Sequence, residues 1–213
     1  MPERTNEDLL REQYFKLLPD IHKVVLYLDA EIRYRTREIL QRMKPHEQLV
    51  IESRVKECES AVESLRRRQK EGGTFDPEKL GSYSLLDLPD LAGVRVLVFP
   101  RTRLNEVNDV LATLFTGWIP DPVPDDKGGV LAYKYIGKCQ NLSREINAEY
   151  QVVPMLIGLF WKVEHSAMYK FGKVADSKEM QTYRADVQSA LLRFETEFES
   201  FVENRDQPPS EIQ

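Results

Sequence analysis

The sequence predicts an α+β protein, with helical extensions at both ends of a region where short strands alternate with helices. Three observations lead there. The runs QLVIESRVK (Gln48 to Lys56) and VRVLVF (Val94 to Phe99) have the β-branched, apolar content and the length of strands. NAEYQVV (Asn147 to Val153) alternates with period two, placing Ala148, Tyr150 and Val152 on one face and Glu149 and Gln151 on the other. The flanking segments Thr5 to Lys44 and Asp176 to Asn204 carry apolar residues at helical spacing.

Taken in order, Thr5 to Lys44 reads as two helices broken at Pro19-Asp20, with Asp20 capping the second. Leu9, Leu10, Tyr14, Leu17 and Leu18 face inward from the first. Ile21, Val24, Val25, Leu28, Ile32, Ile39 and Leu40 do so from the second, with Arg33, Arg35 and Arg37 outward. After the strand at Gln48, a short helix spans Cys58 to Lys70, with Ala61 and Leu65 inward. Gly72 to Pro89 reads as a connecting loop, and Arg103 to Leu114 as an amphipathic helix. Pro120 to Gly129 (PDPVPDDKGG) has the composition of a mobile surface loop, and Leu131 to Gly137 that of a further short strand. Pro154 suits the first position of a helix that is apolar nearly all round from Met155 to Phe160 and is therefore expected to be buried. The last helix carries Leu191, Leu192, Phe194, Phe198 and Phe201 toward its own core, a dimer or tetramer contact being the second reading. RDQPPSEIQ follows as a frayed tail. The division expected is 1–45 for the N-terminal helices, 46–175 for the core, and 176–213 for the C-terminal helix and tail packed on the same domain.

Composition narrows the function. The chain of 213 residues has a net charge of −5, which argues against a nucleic-acid-binding surface. No apolar run approaches a membrane span, and Cys58 and Cys139 stand without metal-ligand or disulfide spacing. His22, His46 and His165 are scattered, so a histidine-built metal site is not expected. The reading is a cytoplasmic protein with reduced thiols.

Two clusters carry candidate chemistry. Arg54 and Lys56 end a strand, Ser60 lies in the first turn of the next helix, and Ser64 and Arg67 or Arg68 follow at helical spacing. Such a group cradles phosphate at a helix N-terminus, or else the arginines merely solvate a surface. Asp90 precedes the strand that contains Arg95, a charge that needs a partner if buried. Glu149 and Gln151 share a strand face, either as a carboxylate and amide held for chemistry or as an edge facing water.

The runs SRVKECESAVESLRRR, DLAGVRVLVF, AEYQVV and FWKVEHSAMYK occur in that order. The stretch of about Val50 to Lys170 thereby resembles the synthetase domain of RelA/SpoT-type alarmone synthetases, enzymes that make (p)ppGpp. The resemblance implies a nucleotidyltransferase-like mixed sheet flanked by helices. It also implies transfer of the β,γ-pyrophosphoryl group of ATP to the 3′-hydroxyl of GDP or GTP, with Mg²⁺. On that basis Asp90 holds the metal, and Glu149 assists it or activates the acceptor hydroxyl. Arg54 and Arg95 stack on the two faces of adenine, and Lys56, Ser60 and Arg67 hold the ATP phosphates. Gln151 orients the acceptor, while Trp161, Glu164, His165, Tyr169 and Lys170 support the helix that follows. No His-Asp dipeptide occurs, so synthesis without hydrolysis is implied.

The departures fall mostly on the guanine side. Where the family has G-Y-x-[SA]-x-H, this chain has Gly129-Val130-Leu131-Ala132-Tyr133-Lys134, so Val130 replaces the stacking tyrosine and Lys134 the histidine. Tyr133 or Tyr135 takes over the stacking only if the register shifts. Val153 stands where many members have an arginine, Gly158 replaces a polar residue facing the guanine, and Ser64 replaces a cradle lysine. Three functions follow: an alarmone synthetase with an altered guanine pocket, a pyrophosphokinase acting on an adenine nucleotide or an RNA 3′ end, and an inactive nucleotide-binding regulatory relative. Nucleotides are the expected partners. Membranes are not, and among nucleic acids only a tRNA acceptor comes into question.

Overall fold

The structure, a computed structural model, describes residues 5–71, 84–125, 128–139, 145–168 and 177–205. Five helices and six strands follow one another as α1 (Asn6–Arg42), β1 (Gln48–Val55), α2 (Cys58–Glu71), β2 (Ala92–Phe99), α3 (Leu104–Leu111), β3 (Ile119–Pro120), β4 (Val123–Pro124), β5 (Val130–Lys138), β6 (Asn147–Pro154), α4 (Met155–Met168) and α5 (Lys178–Arg205). The sheet runs β1-β2-β6-β5-β3, with β4 also on β5. Among the described residues β2 and β6 pair in parallel and the other strand pairs are antiparallel, so the sheet is mixed and the fold α+β.

Period-two alternation sorts the side chains of the central strands onto two faces. One face, with Val94, Val96, Val98, Tyr135, Tyr150 and Val152, closes against α1, α2 and α3 in the main core. Tyr135 and Tyr150 stack there at 4.7 Å, and the Tyr150 hydroxyl donates to the Leu111 carbonyl at 2.9 Å. The opposite face is partly covered by α4 and α5, through a smaller cluster of Leu97, Leu131, Ala132, Val153 and Ile157. Beyond that cluster the face is mostly polar, with Val50 and Ile136 among its side chains.

Several elements differ from the sequence reading. Pro19 does not break α1, which is continuous. The buried face from Leu10 to Ile39 runs straight past it, while the proline ring itself is exposed. Burial of some ten side chains outweighs a proline cost of about 3 kcal/mol. Leu9 and Leu40 are half exposed instead of inward. The segment from Pro120 is not simply a loop, because β3 and β4 pair with β5; residues 126 and 127 lie outside the described residues. Pro154 ends β6, where its missing N–H is tolerated at the strand terminus, and Met155 opens the helix. Helix α4 is not buried all round, since Leu159 faces outward.

On α5 the phenylalanine stripe does not face inward. Phe194 is 54 % and Phe201 68 % exposed, and the buried positions are Glu195 and Val202. Phe198 does turn in, meeting Phe99 at 5.8 Å. Neither Glu195 carboxylate oxygen completes a hydrogen bond among the described residues. Burial pushes the Glu195 carboxyl up to about 7, tempered by the Arg101 backbone amide and guanidinium and reinforced by Glu199. No helix among the described residues is long and apolar enough to cross a membrane.

Candidate active site

The polar face is built from register. Glu52, Arg95, Gln151 and Lys134 stand opposite one another across β1, β2, β6 and β5. The next row is Arg54, Gly93, Glu149 and Ile136. Because the rows are two residues apart, all these side chains rise from the same side of the sheet. Asp90, just before β2, and Lys56, just after β1, meet at the end of the second row, with Lys56 Nζ donating to Asp90 Oδ2 at 2.6 Å. Arg54 Nη2 lies 3.7 Å from the same oxygen. Its side chain reaches there by lying across Gly93, with Cγ 3.5 Å from where a Cβ would stand.

Lys56 is fixed from both sides of its backbone. Its amide donates to the Leu91 carbonyl at 2.9 Å, and its carbonyl accepts from the Tyr14 hydroxyl at 2.7 Å. In the sequence Tyr14 belongs to the apolar face of its helix, and nothing in the pattern signals this bond. The other oxygen of Asp90, Oδ1, is buried and has no hydrogen-bond partner among the described residues. A buried carboxylate oxygen left open beside two cations is an acceptor awaiting a ligand.

Glu149 lies deeper. Gln151 Nε2 donates to Glu149 Oε1 at 2.5 Å, and Lys134 Nζ lies 3.9 Å from Oε2. Burial pushes the Glu149 carboxyl above the usual range. Lys134 opposes that shift, Asp90 adds to it, and the Gln151 bond and Arg54 oppose it. Lys134 is itself shared with Asp121, Nζ to Oδ2 at 2.5 Å, and the Asp121 amide donates to the Lys134 carbonyl at 2.7 Å. Arg95 donates from Nε to Gln151 Oε1 at 3.0 Å. The charge in the buried strand thus takes a neutral amide as partner, with the Glu52 and Glu149 carboxylates nearby, and burial followed by the Arg54 charge lowers its basicity. Lys162 of α4 reaches Glu52 at 2.8 Å.

Of the cradle residues, Ser60 is half-buried and Arg67 exposed, two turns apart on the same side of α2. Ser64 lies between them on that side but is buried, and the Arg68 side chain lies outside the described residues. Arg66 points elsewhere, pairing with Glu7 and Glu63. The resemblance gave Tyr133 or Tyr135 as replacement base-stacking residues, and the register rules both out on this face. Tyr133 donates to Asn105 and Tyr135 to Asn108, each at 2.9 Å on the core side. Gly158 is a packing position, since a Cβ there would stand 2.3 Å from Leu97 Cδ2 and 3.8 Å from Arg95 Cδ. Trp161 joins the smaller cluster, Glu164 pairs with Arg184 of α5, and His165 is exposed. Tyr169 and Lys170 lie outside the described residues.

Asp90 and Glu149 offer hard oxygen ligands, and the open Asp90 Oδ1 suits Mg²⁺ held by one or two carboxylates with phosphate oxygens completing its shell. Among the described residues no cluster of three or more histidine, cysteine or carboxylate side chains forms an all-protein metal cage.

No protein-family model and no curated protein matches the chain. Solved structures do. Small alarmone synthetase 1 from Bacillus subtilis, bound to its product pppGpp, superposes with a TM-score of 0.65 at 16% identity, covering 91% of this chain and 98% of that one. Small alarmone synthetase 2 from Bacillus subtilis gives 0.62 at 18% identity, covering 90% and 98%. A GTP pyrophosphokinase family protein from Streptococcus pneumoniae gives 0.56 at 22% identity, covering 91% and 94%. Over nearly its whole length, then, this chain has the fold of the small alarmone synthetases.

Proposed function

We propose that the chain is an ATP-dependent pyrophosphokinase that transfers pyrophosphate from ATP to the 3′-hydroxyl of GDP or GTP, making (p)ppGpp. The observation that carries this reading is Asp90: one oxygen bonded to Lys56, the other buried and open, with Arg54 and Glu149 on the same face. The neighbours add support, since one is described as bound to AMPCPP and another to pppGpp.

In this reading adenine enters between Arg54 and Arg95. Adjacent rows are separated by about 6.6 Å along the strands, close to the room one aromatic ring needs between two planar guanidinium groups. Lys56, Ser60 and Arg67 hold the triphosphate. Asp90 and Glu149 would hold Mg²⁺, which when bound neutralises phosphate charge. Glu149, kept basic by its burial and held by Gln151, takes the proton of the acceptor hydroxyl. The hydroxyl oxygen bonds to the β-phosphorus, the bond from that phosphorus to the α–β bridging oxygen breaks, and AMP leaves with the electron pair. Lys56 and Arg54 face the charge that develops there.

A second reading, transfer to a different acceptor such as an adenine nucleotide or an RNA 3′ end, is favoured by one observation. On β5 the side chain that faces the site is Lys134, and the tyrosines on either side of it turn into the core. A site that trades aromatic stacking, about 1–3 kcal/mol per base, for a cation loses base selectivity. The test is to supply labelled ATP and Mg²⁺ with GDP, GTP, ADP, ATP or tRNA in turn. Label on GDP or GTP is the expected result, and label only on another acceptor moves the function to the second reading. Binding of ATP with no transfer at all leaves a regulatory nucleotide binder.

A further inference from the structure

The segment Pro120-Asp121-Pro122-Val123-Pro124 reads by composition as a loop, yet it holds a carboxylate at the edge of the candidate site. Pro120 pairs with Tyr135 in β3 and Val123 with Ala132 in β4, so Asp121 is tied to β5 from both directions along the chain. Its amide donates to the Lys134 carbonyl at 2.7 Å. Pro122 restricts the residue before it to extended backbone, which removes most of the freedom Asp121 would otherwise have. Standing opposite Lys134, Asp121 points to the same face of the sheet as Glu149 and Gln151.

Asp121 Oδ2 meets Lys134 Nζ at 2.5 Å, and the aspartate side chain is 57 % exposed. An ion pair this open adds little to stability. What it offers a ligand is the order of its atoms. An ammonium only donates and a carboxylate only accepts, so Nζ, Oδ2 and Oδ1 present donor, acceptor and acceptor in turn. Cytosine presents that same order to guanine along its Watson–Crick edge, and guanine answers with O6, N1–H and the 2-amino group. Adenine brings an amino group and a bare ring nitrogen to the first two places, so donor would face donor and acceptor would face acceptor. These groups already stand in place, and no rearrangement is needed to use them. Lys134 Nζ is also 3.9 Å from Glu149 Oε2. The pair and the proposed general base therefore lie within the span of one nucleoside, from base edge to ribose 3′-oxygen.

We propose that Asp121 and Lys134 together select the acceptor base, reading guanine by its hydrogen-bonding edge instead of by stacking on a ring. The inference rests on the pyrophosphokinase reading, which puts the acceptor hydroxyl at Glu149. A lone cation at Lys134 would be indifferent to the base. Paired with Asp121, it is not.

The experiment measures binding of guanosine, inosine, xanthosine and adenosine diphosphates to the full chain by calorimetry, with thermal unfolding as the check on folding. A saturating non-transferable ATP analogue fills the donor side throughout, so that ADP reports on the acceptor side alone. In the wild type GDP is expected to bind about twentyfold more tightly than ADP or the xanthine nucleotide, the scale of a bidentate base contact. The inosine nucleotide, which lacks the 2-amino group, should fall about fivefold below GDP. Asp121→Asn replaces one acceptor by a donor that suits the 2-carbonyl of xanthine, so the xanthine nucleotide should gain about tenfold and GDP lose about tenfold. Asp121→Ala should bring GDP down to the level of ADP while ADP holds. A base preference unchanged in both variants overturns the inference. So does a loss shared equally by all four nucleotides, the mark of an ion pair that only braces β3 against β5. Transfer of label from ATP to GDP, followed separately in the wild type, decides the pyrophosphokinase reading: with transfer present and the base preference unmoved, only the role of Asp121 and Lys134 falls. A wild type that binds ADP as tightly as GDP also overturns that role, and one that binds none of the four removes the acceptor reading with it.

Discussion

On β6, Ala148, Tyr150 and Val152 face a closed apolar layer, while Glu149 and Gln151, one residue away each time, face an open row of charges. The two faces share a backbone but answer to different physics. On the closed face every side chain is held by many weak contacts and the odd buried hydrogen bond, so position is over-determined. On the open face each group has one or two strong partners, and its placement is inherited from the packing beneath. Substitutions on the closed face should therefore cost stability. On the open face they should cost chemistry.

The largest effect is expected from Tyr150→Ala. It empties the centre of the Tyr135–Tyr150–Trp118 cluster and frees the Leu111 carbonyl, for a loss of about 3–5 kcal/mol in urea unfolding. A loss below about 1 kcal/mol would show the closed face to be less determining than its packing indicates. Asp90→Asn, on the open face, is expected to lower pyrophosphate transfer by about a hundredfold or more while thermal unfolding moves by only a few degrees. A variant that keeps full activity would remove Asp90 from the site.

Gly158→Leu probes the seam between the faces. Its side chain would drive into Leu97 and press on Arg95, so about 1–3 kcal/mol of stability and a weakened donor site are expected together. Loss of stability without loss of nucleotide affinity would separate the seam from the site. The effect at Glu195, away from both, appears only as pH rises. Its folded-state pKa is raised to about 7 from 4.5, so the carboxyl favours the folded state fully below pH 4.5 and loses that contribution as pH rises through 7. Glu195→Gln should match the wild type near pH 4 and exceed it by up to about 3 kcal/mol at pH 8, the full linkage of a shift from 4.5 to about 7. Identical pH dependence of stability in the two proteins would show that Glu195 does not titrate in this range.

The main strands were legible because alternation is a local property, and Glu149 and Gln151 could be placed on one face from seven residues. What spans strands was not. That Arg95 faces Gln151, that Lys134 faces Glu149, and that Tyr133 and Tyr135 turn to the core all depend on register, which is set by pairing between segments distant in sequence. Pro19 is a local helix breaker, and the long apolar face that overrides it extends well beyond its neighbourhood. The strands at Ile119 and Val123 were hidden because pairing to β5, and not their own composition, orders them. Phe194 and Phe201 are the opposite case: their apolar content predicts burial, while the buried position beside them carries the Glu195 carboxylate.

The bond from the Tyr14 hydroxyl to the Lys56 carbonyl has a consequence for where a minimal working unit could begin. A fragment starting at Gln48 would contain every proposed site residue and still lack the group that anchors Lys56 against Asp90. It would also bare the apolar layer that α1 covers from Leu10 to Ile39. The N-terminal helix thus supports the candidate site from behind the sheet. Shortening the chain from that end, even by the few turns that reach Tyr14, should be felt at Asp90 before it is felt anywhere else.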